Sequence, residues 1–113
     1  MKRPCKFLWK SPQISWDGNV TVCCSDIDFL LSLGNINENS LEELWNNNNA
    51  KKYRLMHVLG EFDKTPKTRE GNPICLNCHS HIEMTDEEVI DYLKEINRED
   101  LIDSYLELVN KLI

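Results

Sequence analysis

Apolar and polar positions alternate over residues 12–24 around Asp17-Gly18, which predicts a β-hairpin, because Asp-Gly suits a two-residue turn with positive φ at both positions. Ile14, Trp16, Val20 and Val22 share parity, so one face of such a hairpin is apolar. Leu33-Gly34-Asn35-Ile36 reads as a short extended segment. The period then changes. Ser40-Leu-Glu-Glu43 is a capping box that opens a short helix, and Asn46-Asn-Asn-Asn49 interrupts it, since Asn prefers caps and turns to helix interiors. A second helix is expected over about 49–59, with Tyr53, Met56 and either Leu55 or Leu59 on its apolar face and Gly60 just past its end. Residues 61–73 are polar, contain Thr65-Pro-Lys and Glu70-Gly-Asn-Pro, and read as an exposed loop. Thr85-Asp-Glu-Glu88 is a second capping box, and it opens a helix with a stripe of Val89, Ile90, Leu93 and Ile96. Asn97 is expected to break that helix and cap another, with Leu101, Ile102, Tyr105, Leu108, Val109 and Leu112 inward.

Such a chain of 113 residues amounts to one domain, or one and a small appendage, with a thin core for which a metal staple is physically useful. Its net charge of −6 is uneven: residues 1–82 hold ten basic and nine acidic side chains (+1), and residues 83–113 hold three basic and ten acidic (−7). The acidic end and the lack of a dense Lys/Arg cluster argue against a nucleic-acid partner. Apolar runs such as Phe29-Leu30-Leu31 are too short for a membrane span, and the basic start lacks the apolar run of a signal peptide. A cytoplasmic location follows as the expectation. Thiols stay reduced there, so five cysteines point to metal or redox chemistry. The sequon at Asn19-Val-Thr21 is then idle.

Four of the cysteines fall in two pairs, Cys5 with Cys23 at the end of the hairpin, and Cys75-Leu-Asn-Cys78. Buried packing thiols are one reading, but C-x-x-C beside Pro73 suits a metal knuckle better. Cys75-Leu-Asn-Cys78-His79 has the spacing of a c-type haem attachment site, which would leave Cys5 and Cys23 without a role. A closed four-thiolate zinc site and an iron–sulfur cluster both fit, and spacing alone does not separate them.

The surrounding segments bear on that choice. Cys5, twelve residues, Gly18, four residues and Cys23 fit a C-x(9–15)-G-x4-C pattern, followed in order by Leu33-Gly-Asn-Ile36, Glu43-Leu-Trp45, Tyr53-Arg54 and Cys75-x-x-Cys78. Over about residues 4–80 the chain resembles the SPASM/twitch domain, the auxiliary iron–sulfur extension of many radical S-adenosylmethionine (radical SAM) enzymes. The resemblance implies that Cys5, Cys23, Cys75 and Cys78 ligate one 4Fe–4S cluster, with zinc (Zn2+) as the alternative. It also implies electron transfer, or the binding and positioning of a peptide or protein substrate, beside a radical SAM catalytic domain in cis or in trans. Two departures limit this. The fuller pattern continues C-x2-C-x5-C-x3-C, yet Met84 and Glu88 occupy the next two cysteine positions, which leaves ligands for a single cluster. The C-x3-C-x2-C motif that holds the SAM-cleaving cluster is also missing, and 113 residues leave no room for a barrel of roughly 200 residues or more. The expected product is therefore an accessory domain, not catalytic alone.

The remaining residues have plainer readings. Cys24 follows a ligand on a strand and should face away from it, although the two roles could be exchanged. His57, His79 and His81 read as surface; His79 and His81 could alternatively replace a thiolate or bond a cluster sulfur. Trp9, Trp16 and Trp45 are expected in the core. Asp17 suits the turn, and Asp26, which recurs in the resembling family, suits a turn or a capping role. Tyr53 and Arg54 read as a core tyrosine and a surface arginine, with contact to substrate or a neighbouring domain as the alternative. The expected fold is a small α+β domain, in which a β-hairpin and C-x-x-C knuckle around one metal cluster are surrounded by short helices and a C-terminal helical pair. Residues 1–82 would form the SPASM/twitch-like part and residues 83–113 an acidic helical extension. A zinc-stapled protein-interaction module is the alternative function.

Overall fold

The computed structural model describes residues 3–10, 12–23, 26, 28–76, 78 and 81–111. Among these the fold is α+β. A three-stranded antiparallel sheet in the order β1-β2-β3 is built from β1 (Gln13–Ile14), β2 (Asn19–Thr21) and β3 (Ser32–Asn35). Helices α1 (Phe7–Lys10), α2 (Leu41–Trp45), α3 (Asn48–Val58), α4 (Asp86–Glu95) and α5 (Ile102–Asn110) surround it, with 3-10 turns at Phe62–Lys64 and Glu99–Leu101.

The hairpin forms with Ile14 opposite Val20, but its loop is longer than two residues. Ser15 N–H donates to Asn19 O at 2.8 Å and Gly18 N–H to Ser15 O at 3.0 Å, so Trp16, Asp17 and Gly18 make a three-residue turn. Only Gly18 takes a positive φ, +93°, as the last residue of such loops does. The longer loop corrects the placement of Trp16, which leaves the ladder and stands 98% exposed instead of in the core. Val20 and Val22 are fully buried as expected, whereas Ile14 on the edge strand is exposed.

β3 pairs with β2 across Val20 and Gly34, with a register irregularity between Val20 and Thr21. Gly34 has φ +130°, and a Cβ there would come within 2.8 Å of Leu44 Cδ2. The Gly-Asn-Ile and Glu-Leu-Trp segments are thus two sides of one contact, with α2 resting where β3 has no side chain. Ser40 caps α2 by accepting Glu43 N–H at 3.2 Å, and Asn47 caps α3 by accepting Ala50 N–H at 2.9 Å. Asn47 also donates to Leu33 O at 2.8 Å, so the asparagine run is a junction between two helices and the sheet. Gly60 (φ +70°) ends α3, with Glu61 N–H reaching back to Met56 O at 2.8 Å.

Two apolar clusters share α3. Ala50 and Tyr53 face one, with Val20, Leu31 and Leu44. Val58 faces the other, with Val89, Leu93, Tyr105 and Val109, while Trp9 packs against both. Thr85 and Glu88 complete the expected capping box of α4. Asn97 does break α4, but it caps no following helix. It sits at φ +59° past the helix end, where Arg98 N–H bonds Leu93 O at 2.8 Å, and a 3-10 turn precedes α5. Asn tolerates this left-handed geometry, which is incompatible with its being an N-cap. No helix among the described residues is long and apolar enough to cross a membrane.

Candidate metal centre

The four predicted cysteines line one small cavity of about 90 Å³, together with Phe7, Leu8, Ile74, His57 and His81. They arrive on three pieces of backbone. Cys5 precedes α1 and is bridged to Glu83, with Lys6 N–H donating to Ile82 O at 2.7 Å and Met84 N–H to Pro4 O at 2.9 Å. Cys23 follows β2. Cys75 lies in the turn at residues 74–76 and Cys78 follows it; Asn77 is outside the described residues, so the expected knuckle is described only on either side of it. Cys5, Cys23 and Cys75 are buried and Cys78 is partly exposed.

Buried polar side chains fix these backbones. Asp26 accepts from Thr21 Oγ1 at 2.7 Å and from the N–H groups of Leu30 at 2.8 Å and Leu31 at 2.7 Å. Its own N–H donates to Cys23 O at 3.2 Å, which closes the turn after Cys23. The turn expected for Asp26 is thus observed, and the carboxylate sits inside it. Burial, helped by the Asp26 charge, pushes the nearby Tyr53 phenol above its usual range. On the other side, Thr65 Oγ1 donates to Phe62 O at 2.6 Å and accepts Cys75 N–H at 3.2 Å. The loop expected to be exposed over 61–73 therefore buries Phe62 and Thr65, because a short pairing across Lys67 and Pro73 folds it back toward the cavity.

His57 corrects another expectation. It is 1% exposed, and its Nδ1 accepts Cys5 N–H at 3.0 Å. The imidazole lies parallel to that of His81, ring centroids 6.0 Å apart, and packs edge-on to Phe62 at 4.7 Å. His81 is half-buried and its Nε2 donates to Arg3 O at 2.6 Å. Arg54, expected at the surface, is 3% exposed with its Nε donating to Leu8 O at 2.7 Å. The apolar-face reading of α3 missed both residues because the helix is covered on two sides. His79 and Cys24 lie outside the described residues.

Four cysteines lining one small, mostly apolar cavity are donors of the kind that a thiolate-bound metal requires. Among the described residues, no three His, Cys, Asp or Glu side chains are grouped closely enough to hold a single metal ion. Residues 5–79 match the family profile of the SPASM domain, an iron–sulfur cluster-binding domain. The chain belongs to the SPASM family. Gly18 in the hairpin loop, Gly34 under Leu44 and the four cysteines of the cavity all fall inside the matched SPASM region. Neither the curated proteins nor the solved structures include a significant match to the chain.

Proposed function

We propose that this SPASM chain is a single-cluster auxiliary module of a radical SAM system, with Cys5, Cys23, Cys75 and Cys78 as ligands of one 4Fe–4S cluster. The observation that carries the reading is that these four cysteines line one small cavity in a chain of an iron–sulfur family. Such a cluster supplies a one-electron couple when bound. The chain's own residues hold the ligand backbones, through His57 at Cys5, Asp26 after Cys23 and Thr65 at Cys75. Leu8, Phe7 and Ile74 limit the access of water. The catalytic barrel would be supplied in cis or in trans, because the sequence contains no C-x3-C-x2-C motif. Relay of electrons and positioning of a peptide or protein substrate are the roles this arrangement suits. Residues 1–82 form the cluster-binding part in this reading, and the acidic residues 83–113 are an extension available to a protein partner.

Anaerobic purification tests the proposal. The protein should be brown and contain on the order of four irons and four sulfides per chain. Colourless protein that carries one zinc per chain after anaerobic reconstitution would overturn the cluster and favour a zinc-stapled interaction module. Cys75→Ser should abolish metal retention, and unchanged metal content would overturn the ligand set.

A further inference from the structure

The segment that carries Cys5 is supported differently from the other ligand segments. Thr21 and Asp26 brace the turn after Cys23, and Phe62 and Thr65 brace Cys75, all within the matched SPASM region of residues 5–79. Residues 3–6 instead run antiparallel to residues 81–88, which lie beyond that match. Pro4 O accepts Met84 N–H at 2.9 Å, Lys6 N–H donates to Ile82 O at 2.7 Å, and Arg3 O accepts from His81 Nε2 at 2.6 Å. Arg3 N–H adds a bond to Glu83 Oε2 at 2.8 Å. Cys5 N–H turns the other way, to His57.

Two cations flank Cys5, and each meets a carboxylate from the first turn of α4. Arg3 Nε lies 3.0 Å from Asp86 Oδ1, and Lys6 Nζ lies 3.3 Å from Glu88 Oε1. The helical pair holds both carboxylates. Tyr105, fully buried in α5, donates its hydroxyl to Asp86 at 2.7 Å. Glu88 Oε1 also accepts Thr85 N–H at 3.0 Å, so the oxygen that caps α4 is the one that meets Lys6. Capping already orders the Glu88 side chain, and less entropy is lost in forming its pair with Lys6. The four paired side chains are 28% to 39% exposed, which leaves both pairs open to screening by salt.

We propose that the first turn of α4 is an electrostatic clamp that holds Cys5 in the metal centre, with Asp86 and Glu88 as positioning residues that act through Arg3 and Lys6. The inference rests on the reading of Cys5 as a ligand, and it makes the acidic residues 83–113 part of the centre and not an appendage to it. Cys5 is then the ligand whose hold depends on solvent-reached charge. Cys23 and Cys75 are braced by Thr21, Asp26 and Thr65, which are 1–3% exposed, so bulk salt has little access to their supports.

The test is alkylation of the whole anaerobically purified chain with iodoacetamide, with the rates at Cys5 and Cys75 read separately by mass spectrometry. Global loosening raises both rates, so their ratio reports the clamp alone. Raising NaCl from about 0.05 M to about 1 M, where the screening length falls to about 3 Å, should raise the Cys5 rate about two- to fivefold relative to Cys75. Glu88→Gln keeps an acceptor for Thr85 N–H but loses the charge, and it should raise the ratio by a similar factor at low salt. Lys6→Met should do the same, Lys6→Arg should match the parent, and Arg3→Met/Lys6→Met should abolish the salt response. Iron and sulfide are measured on the same samples, so their absence overturns the cluster reading while the ratio still tests the clamp. A ratio unmoved by salt and by Glu88→Gln, or equal changes at both cysteines, would overturn the proposal.

Discussion

Nδ1 of His57 accepts the backbone N–H of Cys5 at 3.0 Å, across fifty-two residues of sequence. A ring on α3 thereby fixes the backbone of a cysteine that precedes α1. Replacing His57 with Phe keeps an aromatic ring between Phe62 and His81 but removes the acceptor and leaves the Cys5 amide buried and unpaired. The expected cost is about 1–3 kcal/mol of stability, read from anaerobic denaturant titration. Faster loss of iron to a chelator should accompany it. Unchanged stability would mean that another group takes the amide.

Gly34→Ala tests whether the glycine is required by the contact between β3 and α2. The added methyl would meet Leu44 Cδ2 at 2.8 Å from a backbone at φ +130°, and buried Leu44 has little space to yield. Backbone strain alone is worth about 1–3 kcal/mol, so the melting temperature should fall by several degrees. In the double variant Gly34→Ala/Leu44→Ala part of that loss should be non-additive, because the clash is removed while the strain stays.

Asp86 provides a pH dependence. Its carboxylate accepts from Arg3 Nε at 3.0 Å and from Tyr105 Oη at 2.7 Å, which holds its pKa below the usual carboxylate value. A carboxyl group with a depressed folded pKa stabilises the fold above its unfolded pKa of about 3.9, and that stability is lost as pH falls through the folded value. The melting temperature should therefore drop more steeply below about pH 4 in the parent than in Asp86→Asn, whose midpoint is lower at neutral pH. Arg3 is the larger of the two causes and Tyr105 the second, and solvent reaches the ion pair and screens it, so the difference between the two proteins should be modest.

Elements governed by local chemistry were legible before the structure. The N-cap at Ser40, where the Glu43 carboxylate takes the Ser40 hydroxyl and not its backbone N–H, the full capping box at Thr85, the Gly60 terminus and the valines of β2 need only neighbouring residues for their explanation. Trp16 was misplaced because the loop contains one residue more than Asp-Gly requires, and that one residue decides whether the side chain belongs to the ladder. Arg54, His57 and Thr65 were out of reach for a different reason. Their partners Leu8 O, Cys5 N–H and Cys75 N–H lie ten to fifty-two residues away on the backbone, where no side-chain pattern records them. The cysteine spacing with its flanking motifs indicated a shared site, but the side chains that shape it were visible only in three dimensions.

Thr65 separates the support of a ligand from the ligand itself. Its hydroxyl is both acceptor for Cys75 N–H and donor to Phe62 O, so Thr65→Val removes both bonds at nearly constant shape, while Thr65→Ser keeps them and loses a methyl. If the hydroxyl positions Cys75, the Val variant should lose about 1–3 kcal/mol and retain iron poorly with all four cysteines intact. The Ser variant should hold its iron like the parent despite a small loss of packing. Equal iron retention in both variants would show that the turn following Pro73, with Leu76 N–H bonded to Pro73 O at 3.2 Å, holds Cys75 in place without Thr65.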